Sequence, residues 1–166
     1  MPAPTPTATA TATATRPTII VDVDGTLVDV SRIRHYVLKP RGHKDFTAFH
    51  AASSYADPMP GVVELVQALH AHGFAVLILT SRKEQWRYRT KVWLRKHNVP
   101  FEALGMRADL DTRRDDDVKR ELFIRARRLG FDPVLAIDDN PIVTALWRSL
   151  DIPTVVVPGW VHQTRR

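Results

Sequence analysis

The chain has no cysteine among its 166 residues. That excludes disulfides and thiolate metal sites and fits a reducing compartment such as the cytoplasm. No apolar run approaches the roughly 20 residues of a membrane-spanning helix, so no membrane partner is expected. The N-terminus lacks the basic and apolar regions of a secretory signal. The seven histidines show no ligand spacing and are expected at the surface or at helix caps. No Gly-x-x-x-x-Gly-Lys-Ser/Thr string occurs, so the phosphate cradle of a P-loop kinase is not expected here.

What is present is enough for one globular domain with a single well-buried core. Residues 1–17 alternate Thr with Ala and Pro and have little to bury; a disordered tail is expected there, followed by a folded domain over 18–166. The net charge is +6, from 24 Lys+Arg against 18 Asp+Glu. This balance suits a polyanionic partner, although a generically basic soluble protein is the commoner reading of charge alone.

Apolar runs and helical patterns alternate along the chain. The runs Thr18 to Val23, Ala75 to Leu79, Phe101 to Met106, Val134 to Ile137 and Thr154 to Val157 are expected as strands. Helices are expected from Pro60 to Gly73, with Val62, Val63, Leu65, Val66 and Leu69 as the apolar face, then over Glu84 to His97, Val118 to Leu129, and Pro141 to Leu150. Residues 28–59 form a small irregular insert containing Pro40, Arg41 and Gly42 and a short helix from Asp45 to Ala52. Strand–helix alternation predicts a three-layer α/β, Rossmann-like parallel sheet with right-handed crossovers. Sites in such sheets form beyond the carboxyl ends of the strands.

The strand ends are where the chemistry-bearing residues fall. The first ends in Asp22-Val-Asp24-Gly25-Thr26, the second in Thr80-Ser81-Arg82 and the fourth in Asp138-Asp139. Carboxylates brought this close are costly unless a cation or proton separates them. Four of them, Asp22, Asp24, Asp138 and Asp139, make a hard-oxygen set suited to Mg²⁺, which keeps waters for a phosphate. Lys119 is expected at the start of a helix, where a cation opposes the helix dipole and therefore suggests an anion to bind.

Asp22-Val-Asp24-Gly-Thr, Thr80, Lys119 and Asp138-Asp139 occur in the order of the motifs of haloacid dehalogenase-like phosphohydrolases, and the chain resembles that superfamily from Thr18 to about Trp160. The block from Met106 to Lys119, with Leu135-Ala-Ile-Asp138-Asp139 and Leu146-Trp147-Arg148, resembles more narrowly the phosphatase domain of bacteriophage polynucleotide kinase-phosphatase. The resemblance implies that Asp22 is the nucleophile and forms an aspartyl-phosphate. It implies that Asp24 protonates the leaving oxygen and then activates water. Asp22, the Asp24 carbonyl, and Asp138 or Asp139 would hold Mg²⁺, while Lys119 and Thr80 would bind the phosphoryl oxygens. Arg34 or its neighbour Arg32, together with Arg82, Arg107, Arg113 and Asp115, would contact substrate or support the site; Asp115 is equally well read as an ion-pair partner of Lys119 or Arg107. Where the phage enzyme has Ser-Gly-Arg, this chain has Thr80-Ser81-Arg82.

These implications lead to a Mg²⁺-dependent phosphatase acting on the 3′-phosphate of a polynucleotide end. A small-molecule phosphatase such as a nucleotidase, using the same core, is the alternative. A nucleic-acid-binding module with a relic site fits less well, because the acids are intact. The small insert over 28–59 leaves room for a polymer end. Trp86, Tyr88 and Trp93, interleaved with Arg87, Arg89, Lys91 and Arg95, could stack bases, but Trp86 and Trp93 lie seven apart on one helix face and are expected in the core, Trp93 clearly and Trp86 by a narrow margin.

Overall fold

A computed structural model describes residues 16–38 and 44–158. The tail expected over 1–17 lies outside the described residues up to Thr15, as do Pro40, Arg41, Gly42 and Trp160. Strands β1 (Pro17–Val21), β2 (Ala75–Lys83), β3 (Ala103–Arg107), β4 (Asp132–Asp138) and β5 (Thr154–Val156) form one sheet in the order β3-β2-β1-β4-β5. Every pairing is parallel. Among the described residues, five α-helices connect them: α1 (Phe46–Ser53), α2 (Pro60–Ala71), α3 (Arg87–Lys96), α4 (Asp115–Arg128) and α5 (Pro141–Ser149).

The alternation of side chains along β1 sorts the core into two layers. Ile19 and Val21 face Val63 and Val66 of α2 and Trp93 and Leu94 of α3. Ile20 faces Val118 and Leu122 of α4 and Val143, Leu146 and Trp147 of α5. The sheet is therefore covered on both faces, which is why its central strands read as continuous apolar runs. The 28–59 insert docks on the α2–α3 side through Val30, Val37 and Phe49. The strand order reverses between β1 and β4, and the site lies at their carboxyl ends, as a topological switch point requires.

Local chemistry fixes the element ends. Pro60 and Pro141 occupy first-turn positions of α2 and α5, where no amide hydrogen is missed. Asn140 caps α5 by accepting from the Ile142 amide at 3.1 Å. Helix α4 begins at Asp115, three residues before the expected start, because Asp115, Asp116 and Asp117 complement the positive end of its dipole. Lys119 consequently lies one turn inside the helix and not at its opening. The segment expected as one helix from Glu84 is split into a 3₁₀ turn, Glu84–Trp86, followed by α3. Leu65, expected on the buried face of α2, is 37% exposed; Val63 and Val66 carry that face.

Ile20→Ala, which opens a cavity beneath both α4 and α5, should cost about 2–5 kcal/mol in urea denaturation. Leu65→Ala should stay within about 1 kcal/mol of the parent. Equal losses would contradict the layer assignment.

Candidate active site

The first strand ends at Val21, and the chain then turns through Gly25, whose φ of +88° only glycine adopts freely. A Cβ at Gly25 would lie 2.1 Å from Asp139 Oδ2, so the missing side chain is what lets the β4 carboxylate approach the β1 loop. Thr26 Oγ1 donates to Asp139 Oδ1 at 3.0 Å. Ligand oxygens of Asp22, Asp138 and Asp139 all lie within 4.8 Å of one another, and the three residues are buried.

Lys119 reaches into this cluster from α4. Its Nζ donates to Asp22 Oδ1 and to Asp138 Oδ2, each at 2.7 Å. Trp147 Nε1 donates to the same Asp138 oxygen at 3.2 Å, and the Asn140 amide donates to the other at 3.1 Å. Both Asp138 oxygens are thus hydrogen-bonded, whereas Asp139 Oδ2 is buried with no hydrogen-bond partner among the described residues. An orphaned buried carboxylate oxygen in an all-oxygen cluster is what a divalent cation satisfies. The donor set fits a hard divalent metal.

The second carboxylate of the Asp-Val-Asp string faces a different cation. Arg82 holds Asp24 through two bonds of 2.7 Å, from Nε to Oδ2 and from Nη2 to Oδ1. Its side chain is fully buried, and its other donors go to Thr90 Oγ1 at 3.1 Å and Ser53 Oγ at 2.9 Å. The Asp24 carboxylate therefore stands outside the three-acid cluster. The sequence groups Asp24 with the metal-binding acids; the turn after β1 instead sends Asp22 and Asp24 to separate cations.

The two environments set opposite protonation tendencies. Burial pushes the Asp22 carboxyl up from 3.8 to about 7, with Lys119 opposing and Asp138 adding to the rise. Burial, then the charges of Asp22 and Asp138, raises Asp139 to about 8. Burial would raise Asp24 too, but the Arg82 guanidinium reverses this and holds it far below the usual carboxylate range. Burial would lower Lys119, and Asp138 and Asp22 override it, so the lysine stays cationic.

The remaining expected residues divide. Thr80 is buried at the end of β2, where its Oγ1 accepts from the Arg82 amide at 3.2 Å. Arg82 turns inward to Asp24. Arg107 ties the loop after β3, donating to the carbonyls of Ser81 at 3.1 Å and Arg113 at 2.7 Å and to Asp115 Oδ1 at 2.6 Å. Of the two partners expected for Asp115, the structure selects Arg107; Asn140 Nδ2 donates to its other oxygen at 3.2 Å. Arg113 is half exposed and pairs with Asp111 and Glu121, each at 2.6 Å. Arg34 opens a 3₁₀ turn, Arg34–Tyr36, and is half-buried, while Arg32 is exposed. Arg87 is committed to Glu84 and the Leu104 carbonyl.

Sequence reasoning missed Ser53, Thr90 and His50. His50, expected at the surface or a cap, is 8% exposed, and its Nδ1 lies 3.5 Å from Asp24 Oδ2. These three come from α1 and α3, and no local motif marks them.

A parallel sheet covered on both faces, with an acid cluster and a lysine at the carboxyl ends of its central strands, is the frame of a haloacid dehalogenase-like hydrolase. The fold is shared with a class C acid phosphatase from Bacillus anthracis (TM-score 0.65, 16% identity, 91% of this chain and 70% of that one). Within that class, residues 16–159 match the family described as the polynucleotide kinase PNKP phosphatase domain, and the chain belongs to it. A chain in the Pnkp1/Rnl/Hen1 RNA repair complex is similar at 25% identity and a TM-score of 0.71, over 87% of this chain and 43% of that one. A putative bifunctional polynucleotide kinase/RNA ligase of Autographa californica nuclear polyhedrosis virus is 25% identical over 139 residues, which are 82% of this chain and 18% of that protein. The chain thus spans less than half the length of either of these two.

A carboxyl group that titrates higher in the fold than in the unfolded chain keeps its proton while the unfolded chain has already lost it. The unfolded state then binds fewer protons, and stability falls as pH rises between the two values. Asp22 and Asp139, raised from 3.8 to about 7 and about 8, should make the metal-free protein melt lower at about pH 8 than at about pH 5. Added Mg²⁺ should remove that decline by binding the ionised cluster. A melting temperature indifferent to Mg²⁺ at the higher pH would contradict a cation site at these acids. Gly25→Ala should displace Asp139 and weaken Mg²⁺ affinity at least about tenfold in calorimetric titration, combining the clash with the strained φ.

Proposed function

We propose that the chain is a Mg²⁺-dependent phosphatase that removes the 3′-phosphate from a polynucleotide end through an aspartyl-phosphate. The observation that carries this reading is the division of the two motif carboxylates between cations: Asp22 is held by Lys119 and Asp24 by Arg82. One acid then serves as nucleophile beside the cation-binding cluster, and the other serves in proton transfer.

Asp22, Asp138 and Asp139, with the carbonyl of Asp24, would hold Mg²⁺, which supplies charge neutralisation to the phosphoryl oxygens when bound. An Asp22 oxygen attacks phosphorus while the bond to the nucleoside 3′-oxygen breaks. Asp24 gives that oxygen a proton. Arg82 favours the ionised form of Asp24, so the proton arrives with the substrate, bound as the phosphate monoester monoanion, and passes through Asp24 to the leaving oxygen as the bond to phosphorus breaks. In the second half, Asp24 takes a proton from the water that attacks the aspartyl-phosphate and passes it to the departing phosphate, which restores both Asp22 and the ionised Asp24. Lys119 stays cationic beside the reacting oxygen, and the Thr80 hydroxyl donates to a phosphoryl oxygen. Arg82 acts through Asp24, whereas Arg107 and Asp115 fix the loop that carries exposed Arg113 toward substrate. Arg34 or Arg32 supplies charge from the 28–59 insert, which acts as a small cap. The absence of cysteine suits work in the cytoplasm.

Similarity to a putative polynucleotide kinase/RNA ligase and to a chain of an RNA repair complex favours an RNA end as the first substrate to try. The test is a panel of 3′- and 5′-phosphorylated oligonucleotides and 3′- and 5′-mononucleotides, each with Mg²⁺ or EDTA. The 3′-phosphorylated oligonucleotide should have the highest kcat/KM, and EDTA should abolish turnover. Asp22→Asn should lower kcat by on the order of a thousandfold or more and Asp24→Asn by on the order of a hundredfold or more, with both variants folded. Faster hydrolysis of a mononucleotide or of a 5′-phosphate would replace this reading with that of a nucleotidase.

A further inference from the structure

Beside Asp24 stands a row of aromatic rings that the chemistry above does not use. His50, 3.5 Å from the Asp24 carboxylate, is flanked by Phe46 and by Trp86, each with its ring centroid 6.2 Å from the imidazole. Phe49, at 5.2 Å, closes the row on the inside and is buried in the core. The outer members are not buried. Phe46 is 53% exposed at the first position of α1, and Trp86 is partly exposed at the turn before α3. The Arg89 guanidinium lies over the Trp86 ring, 5.4 Å from its centroid. Helix α1 and the turn at Trp86 are more than 30 residues apart in sequence; the Arg82 bonds to Asp24 and to Ser53 of α1 join them.

We infer that Phe46, His50 and Trp86 form a nucleoside subsite that receives the base and sugar of the terminal nucleotide, with Arg89 beside it to meet the next backbone phosphate. The inference rests on the proposed reaction and names the part of the substrate that the aromatic rings recognise. The reasoning is positional. The group that protonates the leaving oxygen must face the leaving group, so the nucleoside lies on the Asp24 side of the phosphorus and not on the Lys119 side. The surface next to Asp24 on that side is aromatic. Every base has a π-face, so rings at a rim bind a nucleotide end without demanding a sequence. A cation over one of those rings is attracted both to the ring and to phosphate. Binding energy gathered here, away from the reacting atoms, can be used to hold the scissile bond in line.

The test compares two 3′-phosphorylated dinucleotides that differ only in whether the terminal residue bears its base or is a stable abasic analogue. The parent protein should favour the base-bearing substrate in kcat/KM by on the order of tenfold. In Phe46→Ala and Trp86→Ala that ratio should fall toward one, mostly through KM. Phe46→Tyr, which keeps an aromatic face, should restore it. Because the readout is a ratio within one protein, partial loss of folded enzyme does not change it; Phe46→Leu serves if the alanine variant fails to fold. A second measurement uses Asp22→Asn, which binds without turnover. The base-bearing dinucleotide should quench tryptophan fluorescence more than the abasic one, and Trp86→Phe should remove the difference. A parent ratio near one, or a ratio unchanged in the variants, overturns the subsite. Failure of the parent to release phosphate from either dinucleotide, while it hydrolyses 5′-nucleotides, overturns the proposed reaction itself.

Discussion

The bridge from Lys119 to Asp22 and Asp138 is the interaction on which the rest of the site depends. It spans the sheet, joining a residue after β1 and one at the end of β4 to a helix that packs beneath them. Buried charges this close are tolerable only when paired. One ammonium cannot neutralise three carboxylates, so the metal-free cluster retains negative charge and raised proton affinity. The same imbalance that makes the cluster costly in the empty fold gives it affinity for a divalent cation, and leaves Asp22 beside the place where a phosphoryl group would carry its own negative charge.

A second, separate pairing keeps Asp24 out of that cluster. Arg82 is wholly buried and makes bonds to Asp24, Thr90 and Ser53. Each of those partners belongs to a different part of the chain: the β1 loop, α3 and α1. The guanidinium fork is suited to this, since its five donors are fixed in a plane and one face cannot be lost without leaving others unpaired. Asp24 is thus located by the packing of the 28–59 insert on the sheet, and the insert has a structural duty at the site as well as any covering role.

The loop after β3 shows how a residue's type and its location can imply different duties. Arg107 and Asp115 both have the character of substrate contacts, yet they bond to each other and to the Ser81 and Arg113 carbonyls. Their effect is to hold the start of α4, and with it Lys119, at a fixed depth. Asn140 ties the same Asp115 to the start of α5, so the two helices that bring Lys119 and Trp147 to Asp138 share one anchor.

The sequence by itself determined the sheet, its parallel sense, and which strand ends carry acids. Those features are local: β-branched runs, breaker residues and the offset of carboxylates from a strand end, all within a few residues of one another. Through the resemblance to haloacid dehalogenase-like phosphohydrolases, the order of motifs also pointed to the class of catalyst and grouped Asp22, Asp24, Asp138, Asp139 and Lys119, one acid more than the cluster holds. Only the tertiary structure decided that Asp24 pairs with Arg82, that His50 and Ser53 stand beside it, and that Asp115 serves Arg107. Those contacts join residues 26 to 58 positions apart, apart from the last, and all depend on side-chain direction and depth. A charged residue's partner is set by which neighbour is nearest once water is excluded, and no periodicity in the chain encodes that distance.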